Sequence, residues 1–239
     1  MASPTSSAPT TVLAIILPAY NEAGQIGTVL DDLPDRLPGV DRIERIVVDD
    51  GSRDATGPIA RTHGAIVVRH RLNRGVGLAR RTGLAAARAI GATVAVTLDA
   101  DGQHDPDEIS TVIAPVLAGQ ADLVVGSRLM NPAGMPPIKR LVNRSANLFL
   151  RLAWGIHSTD SQSGFRAYRV VSVNRLRLRT SGYEADTEIL IAAQEAKFRV
   201  IEVPIRAIYT EYSTGAGRGQ SLLNSITIVL RLIIRTITG

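Results

Sequence analysis

The feature that most constrains this chain is the alternation in its front half. Short apolar runs at Val12–Leu17, Arg45–Val48, Ala65–Val68, Thr93–Leu98 and Asp122–Val125 are separated by helix-like segments at Glu22–Leu33, Asp54–His63, Val76–Ile90 and Pro106–Leu117. Pro34, Gly64 and Gly91 stop three of those helices, and Pro106 opens the fourth at its first turn. Strands this continuously apolar are covered on both faces, and helical crossovers between them make neighbouring strands parallel. The expected fold is therefore α/β: a Rossmann-like, mostly parallel sheet with helices on both faces. In such a sheet ligands collect beyond the carboxyl ends of the strands.

The back half reads differently. Ile138–Trp154 is helical and carries Lys139, Arg140, Arg144 and Arg151; Phe165–Arg169 is strand-like; Glu184–Lys197 is helical; Arg199–Ile208 is extended and interrupted by Pro204. A glycine-rich loop, Gly215–Gly219, leads into a last helix from about Gln220 to Ile237. Neither a repeat nor a linker divides the chain. One domain is expected over residues 12–215, after a disordered Ser/Thr/Pro/Ala-rich tail at 1–11 that has neither the charge nor the apolar stretch of a signal peptide. Asn224, Thr227, Arg231, Arg235 and Thr238 form a polar stripe on a helix at 220–238 that is otherwise apolar, which suits a membrane interface or a partner protein. No run approaches the roughly 18 apolar residues a spanning helix needs.

Composition narrows the chemistry. There is no cysteine, which excludes thiol nucleophiles, disulfides and cysteine zinc sites. The net charge of +5 is uneven: residues 121–239 hold 16 Lys and Arg against 8 Asp and Glu, the remainder 11 against 14. A cation site in front and an anionic partner behind would account for this.

The strongest motif is Leu98-Asp99-Ala100-Asp101-Gly102-Gln103-His104, at the end of the fourth run. In extended backbone, residues two apart share a side, so Asp99 and Asp101 face one point. With the Gln103 amide they form an oxygen-only set suited to Mg²⁺ or Mn²⁺, able to neutralise a departing diphosphate. Asp49 and Asp50, closing the second run before Gly51-Ser52, can accept from a base N–H or ribose hydroxyls, and Tyr20 in Pro18-Ala19-Tyr20-Asn21-Glu22 can cover a base. Asn73-Arg74-Gly75-Val76-Gly77 turns into a helix whose amides can approach a phosphate. Arg128, Arg140, Arg144 and Arg166 can clamp a phosphomonoester through bidentate bonds. A phosphate oxygen is already ionised and needs no strong base. Glu184, Asp186 and Glu188 are the base candidates if one is used.

Taken in order, P-A-Y-N-E, V-D-D-G-S, N-R-G-V-G and D-A-D-G-Q-H-D-P resemble the family 2 glycosyltransferases of the GT-A fold. Val125-Gly126-Ser127-Arg128, Asp160–Arg166 and Glu184–Leu190 narrow the resemblance to dolichyl- and polyprenyl-phosphate sugar synthases, over roughly Leu13 to Tyr212. The resemblance implies nucleotide-sugar contacts at Pro18, Tyr20, Glu22, Asp50 and Asp99, with Asp49, Asn73, Gly75 and Ala100 beside them. It implies metal ligation by Asp101 and Gln103, and acceptor-phosphate binding by Arg128 and the arginines of 138–144. Arg218 is a candidate diphosphate contact. The implied reaction is inverting, in-line transfer of a sugar from a nucleoside-diphosphate donor to polyprenyl phosphate.

Gly102-Gln103-His104 stands where the mannose and glucose branches often have Leu-Gln or Leu-Ser, and Gly217–Ser221 where a basic Ser-Lys is usual. This favours a UDP-linked hexose or N-acetylhexosamine, as in the polyprenyl-phosphate N-acetylgalactosaminyl synthases, with GDP-mannose as the alternative. The expected location is peripheral, on the cytoplasmic face of a membrane, with a separately encoded small membrane protein as a candidate partner and no nucleic acid. Three other readings compete. A haloacid-dehalogenase-like phosphatase wants Thr or Val after its second Asp, where Gly102 stands. A non-catalytic nucleotide-sugar-binding subunit would not need the intact Asp99/Asp101/Gln103 set. A processive polysaccharide synthase should carry Q-x-x-R-W, but Gln162 leads to Ser-Gly-Phe-Arg.

Overall fold

A computed structural model describes residues 10–133, 135–182, 184–206 and 208. The proposed helix at 220–238, Arg218 and most of the N-terminal tail lie outside the described residues.

The strands are β1 (Val12–Ala19), β2 (Arg42–Asp49), β3 (Ile66–Arg69), β4 (Val94–Thr97), β5 (Leu123–Ser127), β6 (Arg166–Arg169) and β7 (Val200–Pro204). The helices are α1 (Ile26–Asp31), α2 (Thr56–Thr62), α3 (Val76–Ala89), α4 (Ile109–Leu117), α5 (Pro137–Trp154), α6 (Val170–Val173) and α7 (Ala185–Glu195). They build one seven-stranded sheet in the order β3-β2-β1-β4-β6-β5-β7.

Period-two side-chain alternation sends β1 into two cores at once. Leu13, Ile15 and Leu17 pack with Ile26 and Leu30 of α1, Ala60 of α2 and Ile109, Val112 and Ile113 of α4. Ala14 and Ile16 pack on the other face with Ala79, Leu84 and Ala87 of α3, Leu150 of α5 and Ile189, Leu190 and Ala193 of α7. Because both faces are buried, β1 needs no polar alternation, which is why its sequence reads as one apolar run.

The chain winds outward through β1, β2 and β3, then α3 carries it back across the opposite face to β4, beside β1. The carboxyl ends of β2, β1 and β4 therefore lie side by side, with the reversal between β1 and β4, where open α/β sheets bind ligands.

The surprise is β6. It enters between β4 and β5 and runs antiparallel to both. Its sequence, Arg-Ala-Tyr-Arg, does not look like a central strand, yet Arg166, Ala167 and Tyr168 are completely buried. Its amino end, preceded by residues 160–165, consequently points to the same rim as the carboxyl ends of β4 and β5.

Candidate active site

Three loops knit the rim together. Asp50 donates its backbone N–H to Ala19 O, the Asn21 N–H bonds Ser52 Oγ at 3.0 Å, and the Asn21 amide oxygen accepts from Arg53 N at 2.8 Å. Asn21 adopts a left-handed φ of 56°, tolerable for Asn because its side chain bonds locally. Tyr20 stays exposed beside this turn, and Pro18 ends β1 opposite Val48. The Glu22 N–H bonds Thr56 Oγ1 at 2.8 Å, and its carbonyl starts α1.

The paired aspartates after β2 hold loops. Asp49 accepts from Ser52 N at 2.8 Å and lies 3.3 Å from Arg69 Nε. Asp50 is buried and accepts from Arg74 N, from Gly75 N at 2.7 Å and from His70 Nδ1 at 2.6 Å; the other His70 nitrogen reaches Thr82 Oγ1. This clamps the Asn73-Arg74-Gly75 turn onto the sheet. Gly75 has φ 92°, and a side chain there would collide with the Ser181 carbonyl, so the position demands glycine.

The two metal candidates sit in opposite electrostatic surroundings. Asp99 Oδ1 accepts from Arg80 Nη2 at 2.9 Å, and Oδ2 lies 3.2 Å from His104 Nε2. Burial alone would raise the Asp99 carboxyl, but the charges of Arg80 and His104 outweigh it and hold the group well below the ordinary carboxylate range. Asp101 accepts from the Gln103 N–H at 3.0 Å and the Gln103 amide at 2.6 Å. Burial and then the negative charge of Asp99 push its carboxyl up. One anion is locked and a second is pressed against it, an arrangement that a cation relieves. The donor atoms are all oxygen, as a hard divalent ion prefers. Among the described residues, no three or more His, Asp or Glu side chains converge on one point, so the remaining ligands of such an ion would come from elsewhere.

Arg80, which sequence reasoning overlooked, organises this centre. It is buried in α3 and spans Asp99 and, through Nη1 at 2.6 Å, Asp186 at the start of α7. Burial opposes its charge, but Asp186 and Asp99 more than compensate and raise its pKa. A Cβ on Gly164 would lie 2.5 Å from Arg80 Nη2 and 2.8 Å from Asp99 Oδ2, so the Ser163-Gly164-Phe165 turn must be glycine for this pair to close. Nothing local in the alanine-rich helix distinguishes this arginine. Only its distant partners, 19 and 106 residues away, mark it.

Arg166 occupies a different place from the acceptor-facing one expected. Its guanidinium is fully buried and donates to the carbonyls of Ser161, Ser163 and Asp186 at 2.7–2.9 Å, bracing the loop before β6. Asp186 is likewise an ion-pair partner, and the buried Glu188 carboxylate accepts from Arg179 N, Thr180 N and Thr180 Oγ1, fastening the loop that precedes α7. Arg140 is turned back onto the carbonyls of Pro132 and Met135. Arg144 is exposed on α5.

Arg128 lies where expected, just past β5, with its guanidinium bidentate on buried Asp160 at 2.7 and 2.9 Å. Lys139 of α5 lies within electrostatic reach of both Arg128 and Asp101. Burial and then the Arg128 charge lower its pKa, while Asp101 pulls it back up. Lys139 and Arg128 thus form a cationic pair beside the acidic centre.

A parallel sheet that switches direction above an Asp-x-Asp loop, with cations on the facing rim, defines a nucleotide-sugar-type GT-A glycosyltransferase fold. The chain belongs to glycosyl transferase family 2, whose model matches residues 14–177. It is 38% identical over 245 residues to a UDP-N-acetylglucosamine–dolichyl-phosphate N-acetylglucosaminyltransferase of Methanococcus voltae, covering 93% of this chain and 95% of that one. It is 33% identical over 232 residues to a polyprenol monophosphomannose synthase of Mycolicibacterium smegmatis, covering 90% and 83%. A solved structure of glucosyl-3-phosphoglycerate synthase from Mycobacterium tuberculosis, in complex with Mn²⁺, uridine diphosphate and phosphoglyceric acid, superposes with TM-score 0.67 at 26% identity, covering 95% of this chain and 78% of that one.

Proposed function

We propose that this glycosyltransferase moves a sugar from a nucleoside-diphosphate donor to polyprenyl phosphate, with inversion and with the help of a divalent metal. The observation that carries the reading is the Arg128–Lys139 pair beside Asp101. Two cations held next to an acidic centre favour an anion between them, and a lipid phosphate there would face a donor over the sheet switch point. The relatives acting on dolichyl or polyprenyl phosphate, covered nearly end to end, support the acceptor class.

Asp99, Asp101 and Gln103 are the residues that would hold the metal, and the manganese and uridine diphosphate of the M. tuberculosis enzyme support that class of cofactor. When bound, Mg²⁺ or Mn²⁺ supplies charge neutralisation at the departing diphosphate. The chain's own residues do the rest. Arg80 and His104 keep Asp99 ionised and fixed. Asp160 orients Arg128, and Lys139 shares the acceptor's charge. Tyr20, Glu22, Ala100 and the Asn73–Gly75 turn line the donor side, with Asp49 and Asp50 shaping that turn. We assign Arg166, Asp186 and Glu188 to positioning. A UDP-linked hexose or N-acetylhexosamine is the favoured donor, supported by the higher identity to the N-acetylglucosaminyl enzyme; GDP-mannose is the second reading, supported by the mannosyl relative.

The reading is tested by screening radiolabelled UDP- and GDP-sugars with polyprenyl phosphate. Lipid-linked label should form from one donor, be lost in EDTA and return with Mg²⁺ or Mn²⁺; full activity in EDTA would remove the metal assignment. Arg128→Ala is expected to raise the KM for lipid phosphate or lower kcat by roughly 10- to 150-fold, the loss of about 1.5–3 kcal/mol for a charge-assisted contact, while donor affinity barely moves. A variant that loses donor binding and keeps acceptor affinity would mean that Arg128 serves the other substrate.

A further inference from the structure

The helix that carries Lys139 has an outer face that no other described residue buries. Only Ala146 and Leu150 of α5 are buried. Ile138, Leu141, Leu148 and Leu152 are 50%, 61%, 55% and 77% exposed. At about 100° per residue the four fall within about 80° of arc, roughly opposite Ala146 and Leu150. Large apolar side chains scattered singly on a surface need no explanation; four on one stripe of one helix do. One edge of the stripe carries Arg144 and Arg151, which have no carboxylate partner among the described residues, and the 18 residues of α5 include four cations and no acid.

We propose that this face of α5 docks on a lipid bilayer with anionic headgroups, its leucines entering the acyl boundary and Arg144 and Arg151 meeting phosphates. The proposal rests on the lipid-phosphate reading above and names the surface that serves it. Charge complementarity selects the occupant. A bilayer bearing acidic lipids matches an apolar stripe edged by arginines. A second copy of α5 would set arginines against arginines. The chain's own residues 209–239 carry three arginines and one glutamate, so they match it no better. Docking would hold the helix that presents Lys139 at headgroup level, where the phosphate of a membrane-embedded lipid resides.

A reporter sits at the end of the same helix, on its core side. The chain's single tryptophan, Trp154, ends α5, half-buried edge-on against Phe149 at 5.7 Å. The full-length protein is mixed with phosphatidylcholine vesicles, with or without phosphatidylglycerol, and with brominated-chain versions of both. Trp154 emission is expected to shift blue and be quenched by brominated chains, more strongly as the anionic fraction rises and less in high salt. The double variant Leu148→Glu/Leu152→Glu should lose at least about tenfold in vesicle partitioning while keeping its melting temperature, since both side chains are exposed. Its transfer to long-chain polyprenyl phosphate in vesicles should fall, and transfer to a short-chain, water-soluble acceptor phosphate should not.

Equal partitioning of the two proteins overturns the proposal. So does a wild-type dimer that the double variant converts to monomer, which makes a second copy the occupant. A wild-type protein that docks through α5 but uses neither acceptor defeats the acceptor reading and leaves the docking result standing.

Discussion

Asp101→Asn is expected to abolish sugar transfer while leaving the metal-free fold at least as stable as the parent. The two halves have one cause. Asp101 is a carboxylate whose charge is penalised by burial and by Asp99, with Gln103 as its hydrogen-bonding partner. A neutral isostere removes the repulsion, so the metal-free melting temperature should hold or rise. The pH dependence follows with a definite sign. The folded state binds the Asp101 proton more tightly than the unfolded chain, so this group's contribution to metal-free stability is present at low pH and lost as pH rises through its raised pKa. Asp101→Asn should lack that component. What it loses, on the proposed function, is an ionised ligand for the metal. Charge neutralisation by a metal contributes several kcal/mol to the transition state, and about 4 kcal/mol is roughly a thousandfold in kcat. Turnover, metal-dependent melting shifts and titration calorimetry check this together. Parental kcat in the variant would move the chemistry away from Asp101.

Arg80→Met is expected to damage both stability and catalysis, and the two can be separated. Removing the guanidinium leaves Asp186 buried without its 2.6 Å partner and Asp99 with His104 alone. Breaking a buried pair from one side costs about 3–5 kcal/mol. In a chain of this size, that lowers the melting temperature by about 6–20 °C. Adding Asp186→Asn removes the stranded charge and should restore most of the stability. It should not restore transfer, because Asp99 still lacks the group that orients it; kcat is expected to stay depressed more than the donor KM rises. Arg80→Lys should rescue little, since one ammonium cannot span both carboxylates as the guanidinium fork does. Gly164→Ala provides an independent check. Its methyl group enters the space occupied by Arg80 Nη2 and the Asp99 carboxylate, so it should reproduce the catalytic loss without removing any charge. A double variant with full turnover would show that Asp99 needs no help from Arg80.

Much of this molecule was legible in the one-dimensional pattern. The front half is built of local signals: apolar runs, proline and glycine stops, and motifs at strand ends. From these the parallel sheet, its two covered faces and the Asp99–Asp101 centre could be placed, because a doubly buried strand must be continuously apolar and a parallel crossover must be helical. The place of Arg128 just past β5 follows from the same pattern, whereas its acceptor role belongs to the proposed function.

What the pattern could not determine were pairings between residues far apart in the chain. Phe165–Arg169 reads as strand-like, but nothing in Arg-Ala-Tyr-Arg marks the buried antiparallel strand it becomes, in which the carbonyls of Ser161, Ser163 and Asp186 satisfy Arg166 where water otherwise would. The same physics explains Arg80, Arg140 and Asp186. A charged side chain is identical in sequence whether solvated, clamping a ligand or locked in an ion pair, and only the partners folded around it decide which. The outward leucines of α5 are the converse. Their spacing announces an amphipathic helix, but which side faces the core was decided by the burial of Ala146 and by the packing of Leu150 in the core. Local periodicity is written along the chain, whereas the burial of a charge or the exposure of a leucine is a property of the assembled fold.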